Sequence, residues 1–540
     1  MTKTTKIRRL AAVCLLLAGA AAAQKPGKLL FDGKSWWDHV KVIADDSMEG
    51  RETGSLGLRK AEAYAVEQFK RAGLEPAGTD GFYQRIELVQ RQIDERNSYA
   101  FLSKDGQSNP VALGDDGYFS TRVEGSDQEI NAPLVFAGNG LEVPESHLHE
   151  LAGLDLKGRV VVYLAGSPGT VPGSLAAHYG GLAQRWRAFA AAGAVGMVAI
   201  PNPASMDIPW SRASLNRARP SMDLADPEFN EVAGLKVAMV FNPASADALL
   251  AGSGHSFAEL AALARDRQEL PRFPLAVSLK ARAAIATARM ESANVVAKLT
   301  GSDATLKNDF VVLSAHIDHV GIGEPVNGDR IYNGAMDDGS GTAAVLDIAA
   351  SLKQHPETLR RSVIFLLVTA EEKGLLGSKY FAARPTVDGK AIVADINIDM
   401  FLPIVPLKVL RVQGINDSTL GDEVTAIAKS YGVKAVPDPE PLRNLFVRSD
   451  QYNFIRHGIP SVIMDVFYEA NAPEAQTFKT WLAERYHAPS DDTEQPVDLK
   501  AAALYEQIVR RLLAETANDP GRPQWKADSF FKRYASAAGN

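Results

Sequence analysis

The 540-residue chain contains a single cysteine, Cys14, in its extreme N-terminal segment. Disulfides and thiolate metal sites are therefore excluded from all that follows, and any metal must be held by imidazole and carboxylate groups. Beyond the first nine residues no cluster of basic residues occurs, and the formal net charge is -7. An acidic chain without a basic stripe argues against nucleic acid as a partner. The apolar run Leu10 to Gly19 is too short to span a bilayer. Lys3, Lys6, Arg8 and Arg9 precede it and Ala21-Ala22-Ala23 follow, so residues 1–23 read as a secretory signal peptide cleaved after Ala23. Removing those four basic residues takes the formal charge from -7 to -11. An exported chain without disulfides suits a bacterial periplasm or the medium, with no membrane attachment after cleavage.

What is present suits about two or three globular domains. Trp36 to Leu74 is expected to be helical in two pieces: Leu58 to Phe69 places apolar side chains at helical spacing, and Gly73 and Pro76 stop it. Alternation from Gln84 to Val123 reads as strands. The composition shifts over 126–270. There "KGRVVVYLAG" is a strand, "GGLAQRWRAFAAAGAVGMVAIPNP" a helix and a strand, and "GLKVAMVFNPASADALLAG" a strand and a helix. Pro201 to Pro227 is expected as an exposed loop. His147, His149, His178 and His255 lack carboxylates at ligand spacing and are expected on the surface. Residues 126–270 are thus read as an inserted, non-catalytic domain, splitting a catalytic domain into 24–125 and 271–518. A polar tail, 519–540, is expected to be disordered.

From Ala293 onward the pattern becomes α/β. "DFVVLSAHIDH", "SVIFLLVTAEE", "AIVADINIDM" and "GIPSVIMDV" are apolar strand runs, with helices near Thr342 to Lys353 and Gly377 to Ala382 between them. Strands alternating with helices predict a mixed, mainly parallel sheet sandwiched by helices. Ligands bind such sheets at the carboxyl ends of the strands. Polar residues sit at those ends here.

His316 follows one strand, with Asp318 two residues on as a carboxylate to fix its second ring nitrogen. Gly334, Gly339 and Gly341 permit a tight turn before a helix, placing Asp337 and Asp338 at its N-terminus. Glu371 and Glu372 close a buried strand, and adjacent acids there repel unless a cation or proton lies between them. Asp399 ends "INID", and His487 comes much later in "YHAPSDD". Together these predict two Zn2+ ions, one on His316 and Asp399, the other on Glu372 and His487, with Asp337 bridging. Such a pair activates a shared water and polarises a carbonyl, and Glu371 is the natural general base.

The motifs "SAHIDH", "NGAMDDGSG", "TAEEKGLLGS", "INIDM" and "YHAPSDD" resemble the M28 family of zinc peptidases, of the bacterial leucyl-aminopeptidase type. "RSDQYNFIRHGIPSV" and "SMEGRETGSLG" look like family segments flanking the site. The resemblance implies a zinc exopeptidase fold and cleavage of N-terminal residues from peptides. It implies the same five ligands with Glu371 as base, Tyr486 as donor to the tetrahedral oxyanion, and a cis peptide at Asp337-Asp338. "LDLKGRVVVYLAG" and "AAAGAVGMVAI" resemble the protease-associated (PA) domain inserted in several members, which implies a substrate-shaping lid. Two other activities stay open on the same fold. A glutamate-carboxypeptidase-like enzyme needs an arginine aimed at a substrate carboxylate, for which Arg448 is a candidate. A glutaminyl-cyclase-like acyltransferase is disfavoured by the intact "DDGSG" loop. A binding protein that has lost catalysis would be expected to lack at least one ligand.

Overall fold

The computed structural model describes residues 29–125, 127–206, 208–440 and 445–535; the predicted signal peptide and Cys14 lie outside them. The larger sheet runs, edge to edge, Ser221–Leu224, Tyr83–Ile93, Phe273–Leu299, Ser362–Val368, Phe310–His316, Ile392–Asn397, Ser461–Phe467, Val409–Gln413, Lys434–Val436. The four predicted strand runs form its parallel centre, flanked on both sides by antiparallel pairings. This is the expected mixed α/β sheet. Successive side chains of a strand face opposite ways. Val311, Leu313, Ala315, Val363, Phe365 and Leu367 enter the main core with the helices Lys34–Ile43, Gly339–Gln354 and Leu499–Asn518. Val312, Ile364, Leu366 and Val368 face the opposite side, against Phe381 of Leu376–Ala383 and Phe454 of Gln451–Arg456. Both faces are covered, which is why these runs are continuously apolar instead of alternating.

A second sheet runs Gln107–Pro110, Tyr99–Lys104, Phe273–Leu299, Asp127–Phe136, Val160–Leu164, Gly196–Ile200, Val237–Phe241, Gly117–Phe119. It encloses its own core around Phe136, Val161, Trp186, Phe189 and Phe241. The 27-residue strand Phe273–Leu299 belongs to both sheets. Its first half pairs with Tyr99–Lys104 and Asp127–Phe136, and its second with Tyr83–Ile93 and Ser362–Val368. The second sheet therefore recruits strands on both sides of the 126 and 270 boundaries drawn from composition.

Three local expectations are corrected. Pro201 to Pro227 is not a free loop: Trp210–Ala213 is a helical turn, and Ser221–Leu224 is the edge strand of the larger sheet, with Met222 and Leu224 buried. Backbone pairing with Tyr83–Ile93 anchors it, which its Pro and Arg content conceals. His178 is 6% exposed and not on the surface. It hydrogen-bonds the hydroxyl of Tyr452 at 2.8 Å and packs on Phe530. The tail is ordered through Ala535. Trp525 Nε1 donates to the Gly458 carbonyl at 2.9 Å, Arg533 pairs with Glu145, and Phe531 is fully buried. Aromatic anchors outweigh the polar average of that segment.

Phe531→Ala is expected to lower unfolding free energy by about 3–5 kcal/mol, as for other fully buried aromatics. Urea unfolding of the whole chain measures this. A change within about 0.5 kcal/mol, typical of a surface site, would contradict the tail's anchoring role.

Candidate metal centre

Four of the five predicted ligands lie at the carboxyl end of a parallel strand or on the turn before the central helix, and His487 follows the helix Glu474–Glu484. His316 ends its strand, Glu371 and Glu372 follow Val368, and Asp399 follows Asn397. Ala370, Met400 and His487 adopt left-handed backbone, with φ of 57°, 49° and 51°. Such conformations are uncommon for residues with a Cβ and collect at functional sites. Asp338 caps the helix Gly339–Gln354, its Oδ1 accepting from Gly341 N at 2.8 Å and from Met400 N at 3.1 Å. A Cβ at Gly341 would sit 2.4 Å from Asp338 Oδ2, so this close approach requires glycine. The Asp337-Asp338 peptide is cis.

The five predicted ligands converge. His316 Nε2 lies 3.3 Å from Asp337 Oδ1 and 3.5 Å from Asp399 Oδ1. His487 Nε2 lies 3.1 Å from Asp337 Oδ2 and 3.3 Å from Glu372 Oε2. The two oxygens of Asp337 thus face different histidines, and each histidine faces a second carboxylate. His316 is buried, which disfavours its charge, but Glu371, Asp337 and Asp399 raise its pKa well above the imidazole range. Burial acts likewise on His487, while Glu372 and Asp337 push it up to about 10. Carboxylates gathered this tightly demand positive charge.

Asp318 acts differently from the expected orienting carboxylate. Its backbone carbonyl lies 3.1 Å from His316 Nδ1, whereas its carboxylate oxygen is 4.0 Å away. The carboxylate instead accepts from the Glu371 backbone N–H and the Thr53 hydroxyl, each at 3.0 Å. It thereby ties the His316 loop to the Glu371 loop. Tyr486 stacks against His487 with ring centroids 4.1 Å apart. Burial, then Asp337, raise its phenol pKa, with Glu372 and Glu371 adding to this and Arg448 opposing.

Three residues escaped the sequence reading. His319, the second histidine of "SAHIDH", groups with Asp337 and Glu372 as a possible ligand set. Its Nδ1 lies 2.8 Å from Glu372 Oε1, out of hydrogen-bond alignment. The H-x-x-H spacing was the available signal. Arg51, fully buried, donates to the carbonyls of Ile317 at 2.9 Å, Asn333 at 2.6 Å and Gly334 at 2.9 Å. Asp491 accepts from the backbone N–H groups of Met336 and Asp337 at 3.0 and 3.1 Å. It fastens the His487 loop to the turn that carries Asp337. "SDD" marks Asp491, but nothing local marks Arg51.

The donor set is nitrogen and carboxylate oxygen, as zinc accepts. His316, Asp337 and Asp399 offer atoms within 4.8 Å of one another. Glu372 Oε1 and both His319 nitrogens are buried without a hydrogen bond. These residues fit two cations.

Residues 294–513 match the model of Peptidase family M28. A probable leucine aminopeptidase 2 from Aspergillus oryzae is 32% identical over 174 residues, covering 31% of this chain and 32% of that protein. Aminopeptidase YwaD from Bacillus subtilis is 27% identical over 219 residues, covering 38% of this chain and 43% of that protein. The chain thus aligns with about a third to under half of these relatives' lengths. Among solved structures, an aminopeptidase from Aneurinibacillus sp. strain AM-1 superposes with a TM-score of 0.54 at 18% identity, covering 91% of this chain and 95% of that one. That likeness establishes a shared fold.

Arg51→Met is expected to destabilise the protein by about 3–5 kcal/mol, because it strands buried carbonyls and carboxylates around a lost charge. Thermal unfolding at fixed zinc checks this, and a wild-type melting curve would contradict it. Over residues 294–513, the chain is thus similar to peptidase family M28.

Proposed function

We propose that this chain is an exported, zinc-dependent aminopeptidase that removes N-terminal residues from peptides using two zinc ions. The observation that carries the reading is the division of Asp337, one oxygen toward His316 and the other toward His487. His316 and Asp399 would hold one ion, Glu372 and His487 the other, and Asp337 both. When bound there, the ions supply Lewis acidity that polarises a carbonyl and acidifies water.

The remaining work falls to the chain's own groups. Glu371 adjoins Glu372 but is left without a ligand role, and its backbone N–H is fixed by Asp318. Burial pushes its carboxyl well above the usual range; Asp399, Asp450 and Glu372 add to this and His316 opposes it. A carboxyl so placed takes a proton from the attacking water and returns it to the leaving amine. Tyr486 keeps its proton and donates a hydrogen bond to the developing oxyanion. His319, with Nδ1 2.8 Å from Glu372 Oε1, would help to orient that carboxylate toward an ion.

The second sheet supports reading the middle of the chain as a protease-associated insert that shapes access to the site. Export rests on the N-terminal pattern of residues 1–23. Among the described residues no helix is long and apolar enough to cross a membrane. One observation favours the alternative glutamate-carboxypeptidase-like activity: Arg448 lies near enough to Tyr486 to lower its pKa. Assay of the zinc-loaded chain on aminoacyl anilides, N-blocked peptides and peptides ending in glutamate separates the two. Hydrolysis of blocked peptides alone would overturn the aminopeptidase reading.

Glu371→Ala is expected to lower kcat by roughly 10²–10⁴-fold while zinc content stays near wild type. Asp337→Ala is expected to lose zinc. Metal analysis beside steady-state kinetics reads both, and a Glu371→Ala protein stripped of zinc would exchange the roles of the two glutamates.

A further inference from the structure

The stretch from Trp210 to Glu231 crosses from the second sheet and touches three of the loops that carry the centre. Arg212 donates to the Ala483 carbonyl at 2.7 Å and to the Tyr486 carbonyl at 3.0 Å, immediately before His487. The Pro220 carbonyl accepts from Lys373 Nζ at 3.3 Å, immediately after Glu372. Arg219 stacks on Tyr332, 4.6 Å from its ring centre, at the entrance to the Asn333–Asp337 turn. Around these contacts, Met222 and Leu224 pack with Ala370 and Leu376 beneath the Glu371-Glu372 loop. Arg122, next to the second sheet's strand Gly117–Phe119, donates to the Lys373 carbonyl.

These contacts are not spread evenly over the centre. They fall on the chain beside Glu372 and His487, the two residues assigned to one ion, and on the approach to the bridging Asp337. His316 and Asp399 instead follow strands of the larger sheet and are held by its central helix: Thr342 Oγ1 donates to the His316 carbonyl at 2.8 Å, and Met400 N to the helix-capping Asp338.

From this asymmetry we infer that the Trp210–Glu231 strap positions the Glu372/His487 arm, and that Arg212 is the residue through which it fixes His487. The inference rests on the ligand assignment proposed above. Its physical basis is the loop Ala483–His487, which joins the helix Glu474–Glu484 to a ligand in left-handed backbone. Two of its carbonyls are pinned by one planar guanidinium, whose paired donors a single ammonium cannot reproduce. Without Arg212 the loop samples more conformations, and zinc binding must order them. The affinity lost is that of one ion only. The two sites then differ in kind: one is intrinsic to the catalytic sheet, the other completed by the strap that flanks the substrate's approach.

The test is a zinc titration of the metal-stripped whole chain against a chromophoric chelator, with amide hydrogen exchange across 483–488 read alongside. Wild type is expected to show two classes of site, and His487→Ala one. Arg212→Ala is expected to weaken that same class by roughly tenfold or more, in line with other residues that orient ligands, leaving the other class within about twofold. Exchange at 483–488 is expected to quicken, and Arg212→Lys to recover part of both effects. A merely structural defect would weaken both classes together and would not be rescued, which contradicts the inference. An Arg212→Ala titration identical to wild type, with His487→Ala still losing one class, overturns the inference and leaves the ligand assignment standing. A His487→Ala protein that keeps both classes overturns the assignment itself, and the inference with it.

Discussion

The structure depends on the repulsion of buried carboxylates that must nevertheless sit together. Asp318, Asp337, Asp338 and Glu372 are held within one small volume, three of them nearly inaccessible to water. Isolated burial of such charges is prohibitive, so each must be neutralised, paired or hydrogen-bonded. The protein uses all three remedies. Burial raises Asp338 well above the carboxylate range, His316 and His487 face the oxygens of Asp337, and backbone N–H groups satisfy Asp318 and Asp491. The remaining demand for positive charge at Asp337, Asp399 and Glu372 is the physical basis for the two cations proposed here.

Holding that arrangement explains features with no obvious value to packing. Arg51 spends its guanidinium on backbone carbonyls of the His316 and Asp337 loops instead of a carboxylate. It orders two ligand loops while its charge offsets Asp491, Asp318 and Asp337 nearby. Asp491 couples the His487 loop to the bridge, and Asp338 couples the bridge's helix to the Asp399 loop. The candidate ligands are therefore linked to one another through the backbone, which is the preorganisation a metal centre needs. The strap from the second sheet extends the same scheme to the Glu372 and His487 side.

Much of the larger sheet was legible because its central strands are continuous apolar runs ending in polar residues, a pattern local in sequence. The same locality exposed His316, Asp337, Glu371, Glu372 and Asp399, each at a strand end or before a helix. What stayed hidden depends on distant partners. Arg51 takes most of its meaning from carbonyls 266 to 283 residues away, with one local partner at Ile43. The Phe273–Leu299 strand alternates in its first half and is continuously apolar near Val295, so neither period covers it. Composition placed a boundary at 270, just before a strand whose first half pairs within the second sheet and whose second half pairs within the larger one. The tail was misread because a few aromatic anchors, Trp525 and Phe531, decide its fate within a polar average.

The central claim is that Asp337 joins two ions held by different arms. X-ray absorption or anomalous diffraction of the zinc-loaded chain tests it directly. The account predicts two zinc ions about 3.5–4 Å apart, one bound by His316 and Asp399, the other by Glu372 and His487, sharing the Asp337 carboxylate. A single zinc, or two ions without Asp337 between them, would contradict it.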